Sequence, residues 1–490
     1  MQTRKLMTAG VLLGIFLAAV DGTVVTVAMP TVVASLGGLS LYSWVFTGYM
    51  LFTAATIPVF GRLSDIYGKK PLFVAGAAIF VTGSVLCGLS QNMLELIVFR
   101  SIQGAGAGSM LAIPYAIFGE IYPPEMRGKA VGWGSAMWGV ASVIGPELGY
   151  VLVSTVGWRS VFFLNLPVGV VSIAIVWRYL EEDVDSEDES LDYWGTLTAA
   201  VGIIGILLGV HEYADYPTLS LVAAGIGLLS LLGFAWVERR VEEPIIPLDL
   251  YRDRVFVSAN AVAFLSSFAV FAALTYIPLL MQALRGGGAL TAALAAIPLS
   301  IGWSGSSMTS GRFVARVGEQ RLIRIGLTVL TLAFAGAVFW SATTPFWLIL
   351  ANTFFMGVGV GSLTPPLMTS VQNHLGQSRM GIASSSYQLF RNVGSAMGIS
   401  VLGAVLSWQV TRGLSGVSGL ATFDDLQQTL RAGGGVPAGA ETALVGGLSV
   451  MFAASVLIAL LALLSSGGVP TFEESAATGA PTQETPGSHD

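Results

Sequence analysis

Cysteine is almost missing from this chain: Cys87 stands alone among 490 residues, which excludes an internal disulfide framework. Histidine is nearly as sparse. His211, His374 and His489 lie far apart in sequence, and no Cys/His cluster has metal-ligand spacing, so neither a metal nor another cofactor is expected. No Gly-x-x-x-x-Gly-Lys-Ser/Thr loop is present, which argues against ATP use by this chain. Charge is the largest shortage. Asp, Glu, Lys and Arg make up 11% of residues, where soluble domains average roughly 25%.

What fills the space is apolar. Hydrophobic residues make up 54% of the chain and mean hydropathy is +0.74. Runs of about 20 apolar residues recur with short polar connectors, the pattern of a polytopic membrane protein. A transmembrane barrel would show short alternating segments instead. We count fourteen spans: 6–30, 44–61, 71–90, 94–118, 130–154, 160–178, 193–211, 219–237, 255–282, 290–310, 324–341, 346–370, 381–408 and 444–466. The first run lacks a small-residue cleavage site and carries Asp21, so it reads as a permanent helix, not a signal peptide.

Basic residues test the count. With the N-terminus inside, seventeen Lys and Arg fall in inside segments and four (Arg159, Arg285, Arg412 and Arg431) outside. This bias predicts a multi-pass protein with both termini cytoplasmic. Arg100 and Arg391 lie within spans. The net charge of −6 comes largely from the acidic run 181–192 and the tail after 470, read as solvated linker and disordered tail.

A repeat organises the chain. At an offset of 253, Gly104, Gly106, Gly108 and Ser109 fall on Gly357, Gly359, Gly361 and Ser362, and Gly128, Ala130 and Gly145 fall on Gly381, Ala383 and Gly398. At 250, Gly61-Arg62 and Gly68 fall on Gly311-Arg312 and Gly318. The expected fold is all-α and integral to the membrane, with two pseudo-symmetric six-helix bundles and two inserted helices. Its expected divisions are 1–180, a segment 181–254 with the inserted helices and an amphipathic connector, 255–466, and a tail 467–490. Parallel repeats of this kind place a substrate path at their interface.

Four stretches carry the chemistry. Asp21 sits in the first apolar run, where a carboxylate costs ~2.5–3.5 kcal/mol at the bilayer centre and seldom persists without a purpose. Gly61-Arg62-Leu63-Ser64-Asp65-Ile66-Tyr67-Gly68-Lys69-Lys70-Pro71 ends one helix and starts another, and Asp65 can meet a helix N-terminus or a neighbouring arginine. Arg100, Gln103 and Gly104 share a helical face. In the fifth span, Gly145, Pro146 and Gly149 allow close helix approach and remove a backbone donor, with Glu147 beside them. A polar stripe of Ser384, Gln388, Arg391 and Ser395, with Tyr387, is a candidate cavity wall in span 13.

These stretches resemble the signatures of the major facilitator superfamily, and the first run, with Gly157–Pro167, is similar to those of its fourteen-helix drug:proton antiporters of the multidrug exporter type. The chain departs from the pattern at Thr26, Tyr150 and Glu147, and Ala315 replaces Asp65 in the second half. The resemblance implies a conformational latch at Gly61, Arg62, Asp65, Gly68, Lys69 and Lys70, and proton movement linked to Arg100. Expected proton-coupling residues are Asp21, Glu147 and Arg100, with Glu147 paired to Arg100 or Arg391. Asp21, Gln103, Glu147, Tyr387, Gln388 and Arg391 are expected to line the substrate cavity.

The function expected is proton-coupled export of amphipathic drugs, lipophilic cations or neutral compounds, from a monomer in the plasma membrane. Its partners would be a small-molecule substrate, protons and the lipid bilayer, with no nucleic acid. Span 10 carries no acid, which argues against dications. An exporter of an endogenous lipid, siderophore or metabolite is the alternative within transport. A membrane enzyme would need a metal or phosphate-binding cluster that the chain does not show; a sensor or channel is the third option.

Overall fold

The computed structural model describes residues 2–38, 41–182, 192–211, 216–241, 247–285, 288–341, 343–414, 423, 426 and 439–470. Most of the acidic run and the tail lie outside the described residues. Among them the regular structure is helical throughout, as an apolar environment demands: with no water to pair with, backbone N–H and C=O groups must find partners within the segment.

The helices are α1 (Gln2–Leu36), α2 (Tyr42–Tyr67), α3 (Lys69–Leu89), α4 (Met93–Ile121), α5 (Pro124–Thr155), α6 (Ser160–Phe163), α7 (Asn165–Tyr179), α8 (Tyr193–His211) and α9 (Pro217–Glu238). They continue with α10 (Arg254–Arg285), α11 (Gly288–Val317), α12 (Glu319–Val338), α13 (Phe346–Gly361), α14 (Thr364–Leu375) and α15 (Met380–Gly413), and a last helix, Ala440–Ser465. Two predicted spans are broken. The sixth consists of α6 and α7. The twelfth changes from α13 to α14 at Thr364-Pro365-Pro366, where two consecutive residues have no N–H to continue the ladder. Thirteen described segments are long and apolar enough to cross a membrane. The Ser- and Gly-rich α11, 30 residues long, is the fourteenth long helical unit.

Helices α1 to α7 pack among themselves, as do α10 to α15 with the last helix. The repeat seen in sequence recurs in packing. Gly104 lies against the backbone of Tyr49, and Gly357 against that of Leu299, 250 residues later. Gly106 meets Phe80 where Gly359 meets Leu330, again 250 apart. Gly68 and Gly318 turn the chain with φ of 90° and 89°, a left-handed conformation that glycine adopts without a Cβ clash. Each bundle is therefore closed by the same small-residue contacts.

The bundles meet along α2 against α15, α5 against α11, α4 against α15 and α5 against α14. The inserted α8 and α9 pack on each other through Gly205 and Gly227. Their outer anchor is the α2–α15 seam, where Leu207 joins Leu51, Ala54 and Ala396.

Candidate functional site

Asp21 lies near the middle of α1 with its side chain fully buried. A charge there requires compensation, and three helices supply it. Arg100 of α4 donates from Nη1 to Asp21 Oδ2 at 2.6 Å. One turn along α4, Gln103 donates Nε2 to Asp21 Oδ1 at 2.8 Å and accepts from Arg100 Nη1 at 2.8 Å. Asn165, the first residue of α7, donates Nδ2 to the same Asp21 oxygen at 2.9 Å and to Ser84 Oγ of α3 at 2.9 Å. Ser84 donates its hydroxyl to the carbonyl of Phe162 at 2.8 Å. The guanidinium of Arg100 lies over the Tyr49 ring at 4.2 Å. The Cys87 thiol points to Gln103 Oε1 at 3.7 Å. A single carboxylate is thus held by one cation and two amide donors.

Asp21, Arg100 and Gln103 form one unit, a pairing absent from the sequence reading, and the partnership corrects two expectations. Arg100 takes its carboxylate from Asp21, not Glu147. Glu147 is exposed and makes no ion pair among the described residues. At 3.6 residues per turn it lies about half a turn round α5 from Trp138, which faces Arg391. Asp21 and Gln103 take all their partners from the first bundle, so they are enclosed within it. Asn165, Ser84 and Tyr49 were missed. Asn165 is a lone polar residue in the apolar stretch Phe162–Val168, a signal that was available.

The seam between bundles is built on α15. Gln388 donates Nε2 to the carbonyl of Leu111 in α4 at 3.0 Å, and Gln372 of α14 donates to the carbonyl of Tyr115 at 2.8 Å. Tyr387 donates its hydroxyl to Thr364 Oγ1 at 3.1 Å within the second bundle. Arg391 is buried, with its guanidinium over Trp138 of α5 at 4.6 Å and Phe271 of α10 at 5.8 Å. Gly145 and Gly149 sit against Thr23 and Val24 and let α5 lie close to α1. Pro146 lies within α5 and leaves the carbonyl of Ser142 without its N–H donor.

The end carrying the basic loop is closed. Asp65 accepts from the N–H of Gly381 at 2.6 Å and from that of Ile382 at 2.9 Å, so a carboxylate of one bundle caps the first turn of α15 in the other. Gly61 packs against Gly381 and Ser385. The symmetric crossing has Gly311 against Gly128, and there Ala315 offers no carboxylate. Arg127 instead donates to Asn373 Oδ1 at 2.8 Å. Glu182 accepts from the N–H groups of Lys69 and Lys70 at 2.6 and 2.9 Å, and Lys69 Nζ reaches Glu120 at 3.2 Å. Lys70 lies over the Trp177 ring. Arg62 is half-buried beside this cluster in sequence, at the end of α2. Described hydrogen bonds between bundles run from this end only as far as Ser142–Ser300, near mid-span.

Two helical bundles of membrane-length helices meet around a seam, with one closed end and a buried ion pair, and this is the architecture of a polytopic membrane protein. The profile of the Major Facilitator Superfamily matches residues 11–399, and the chain belongs to that family. It is 34% identical over 447 residues to multidrug resistance protein 3 of Bacillus subtilis, covering 88% of this chain and 86% of that protein. It is 33% identical over 410 residues to the multidrug transporter protein MdtP of Bacillus subtilis, covering 82% and 75%. Among solved structures it is similar to the human organic anion transporter MFSD10, at a TM-score of 0.65, 14% identity and coverage of 93% and 99%. The proton:xylose symporter XylE matches at a TM-score of 0.61, 13% identity and coverage of 96% and 98%. Both likenesses concern the fold.

Proposed function

We propose that this transporter is a proton-driven antiporter that exports amphipathic small molecules, including drugs, by alternating access. The names of its relatives support drug export, and the buried Asp21–Arg100 pair supports the proton coupling. It would act as a monomer in the plasma membrane, with both termini cytoplasmic, bundles 1–180 and 255–466 rocking about the seam, and residues 181–254 following.

The coupling step rests on how the carboxylate is held. Ionised, Asp21 binds Arg100, Gln103 and Asn165 and ties α1 to α4 and α7. Protonated, it loses its charge and the pair with Arg100 loses its basis. Removing the charge of one member of a buried pair strands the other at a cost of ~3–5 kcal/mol, enough to bias a two-state carrier. With the basic end inside, the closed latch corresponds to an outward-facing state, in which Asp21 loads a proton and substrate leaves. The return brings ~2.3 kcal/mol per elementary charge per 100 mV from an inward proton. Efflux of a fluorescent drug into inside-out vesicles with an imposed pH gradient tests this. Asp21→Asn should abolish the gradient dependence, and wild-type rates with unchanged pH dependence would remove Asp21 from the coupling step.

A further inference from the structure

The seam holds a second buried cation, and no described residue offers it a counter-charge. Arg391 is 6% exposed and lies about 16 Å along α15 from Met380 at 1.5 Å per residue, close to mid-membrane. Its Nε has no hydrogen-bond partner, and the guanidinium makes no hydrogen bond or ion pair among the described residues. Its neighbours are rings: Trp138 at 4.6 Å from the first bundle and Phe271 at 5.8 Å from the second, with Tyr115 and Tyr387 also in electrostatic reach.

The contrast with Arg100 is direct. Arg100 has Asp21, Gln103 and the face of Tyr49. For Arg391 no carboxylate among the described residues is within ion-pair distance. The sequences of α10, α11 and α15 contain no Asp or Glu, Asp21 is saturated, and Glu147 occupies the far side of α5. Aromatic faces offset part of a cation's desolvation, but they leave its N–H donors unclaimed. Those donors form a planar fork that matches a carboxylate or sulfonate with two parallel bonds.

We infer that Arg391 binds an anionic substituent of the transported molecule, and that the substrates are amphipathic organic acids whose apolar body lies along Trp138 and Phe271. This deepens the exporter proposal, on which it rests, and replaces the lipophilic cations expected from sequence. The site straddles both bundles, so a bound acid would join them at the level where the inter-bundle hydrogen bonds end.

The test uses matched probes: 8-anilinonaphthalene-1-sulfonate, N-phenyl-1-naphthylamine (the same skeleton without the sulfonate) and the cation ethidium. Calorimetry on the purified full chain in detergent should give wild-type affinity for the sulfonate at least tenfold above that for the neutral amine and for ethidium. Arg391→Gln should erase the preference while keeping neutral-amine affinity within about twofold, and Arg391→Lys should retain part of it. A wild-type protein without the preference, or an Arg391→Gln variant that keeps it, overturns the proposal. The wild-type comparison decides even if the glutamine variant does not fold. Transport in inside-out vesicles separates the two proposals. Pumping of the amine or ethidium by a protein without sulfonate preference leaves the exporter standing and removes the anion site. Failure to move any probe under a pH gradient removes the exporter, and binding still decides Arg391.

Discussion

Substituting Asp65 with asparagine should open the basic end. The carboxylate accepts two backbone N–H groups at 2.6 and 2.9 Å, on the first turn of α15. Asparagine offers one neutral carbonyl oxygen, and its amide group meets an N–H donor with a donor. One charge-assisted bond is lost and the other weakened, a change of ~1.5–3 kcal/mol. At about 1.4 kcal/mol per decade, the population with this end open rises roughly 10- to 100-fold. The single native cysteine makes the measurement simple. In a Cys87→Ser background, Ser385→Cys places a thiol where Ser385, 3% exposed, packs against Gly61. Its alkylation rate by a membrane-impermeant maleimide in inside-out vesicles tracks the open population. Asp65→Asn should raise that rate at least tenfold, and Ala315→Ser, at the symmetric position, should not. Equal rates with and without Asp65 would refute the latch.

Arg100→Gln should abolish pH-driven export and lower the melting temperature, and pairing it with Asp21→Asn should recover part of the stability, which a double-mutant cycle in thermal unfolding reads; additive losses would dissolve the pair. Asn165→Leu removes a donor to Asp21 and leaves Ser84 with one partner fewer, so it should cost ~1–3 kcal/mol in the same assay, and an unchanged transition would count against its place in the network. Glu147→Gln should leave export within about twofold of wild type, because the residue is exposed and unpaired; a severe loss would show a partner formed in another state. Asp253 begins the approach to α10. Burial raises its pKa, but the N–H of Phe256 and the His374 ring at 2.7 Å outweigh this and hold it below the usual carboxylate range. A lowered folded value stabilises above the unfolded pKa of about 3.9 and is lost as pH falls through the folded value, so the melting difference between wild type and Asp253→Asn should shrink below about pH 4.

Much of this architecture was legible because lipid imposes length and hydropathy on every span. The repeat was legible because close helix contacts demand glycine, and Gly104, Gly106 and Gly108 recur 253 residues on, against contact partners that recur 250 residues on. Asp21 and Arg100 each stood out as charges in apolar runs. Their pairing did not, because 79 residues separate them and helix periodicity orders only near neighbours. Sequence leaves Glu147 to pair with Arg100 or Arg391, and Glu147 turns away from both. A helix N-terminus was one of two partners open to Asp65, but which helix supplies it had no signature, because its peptide N–H groups are announced by no side chain. Arg391 was visible, but that no described residue is its counter-ion required the whole packing.

The two crossing points at the closed end, Gly61 with Gly381 and Gly128 with Gly311, bring main chain against main chain. Such a contact has no rotamers to freeze or release, so parting and rejoining there costs little side-chain entropy. Each acts as a bare bearing surface, and direction and holding force come from elsewhere, chiefly the Asp65 cap on one side. An added methyl at any of the four would act as a wedge, and the two sides would then pivot unequally about the crossing that remained smooth.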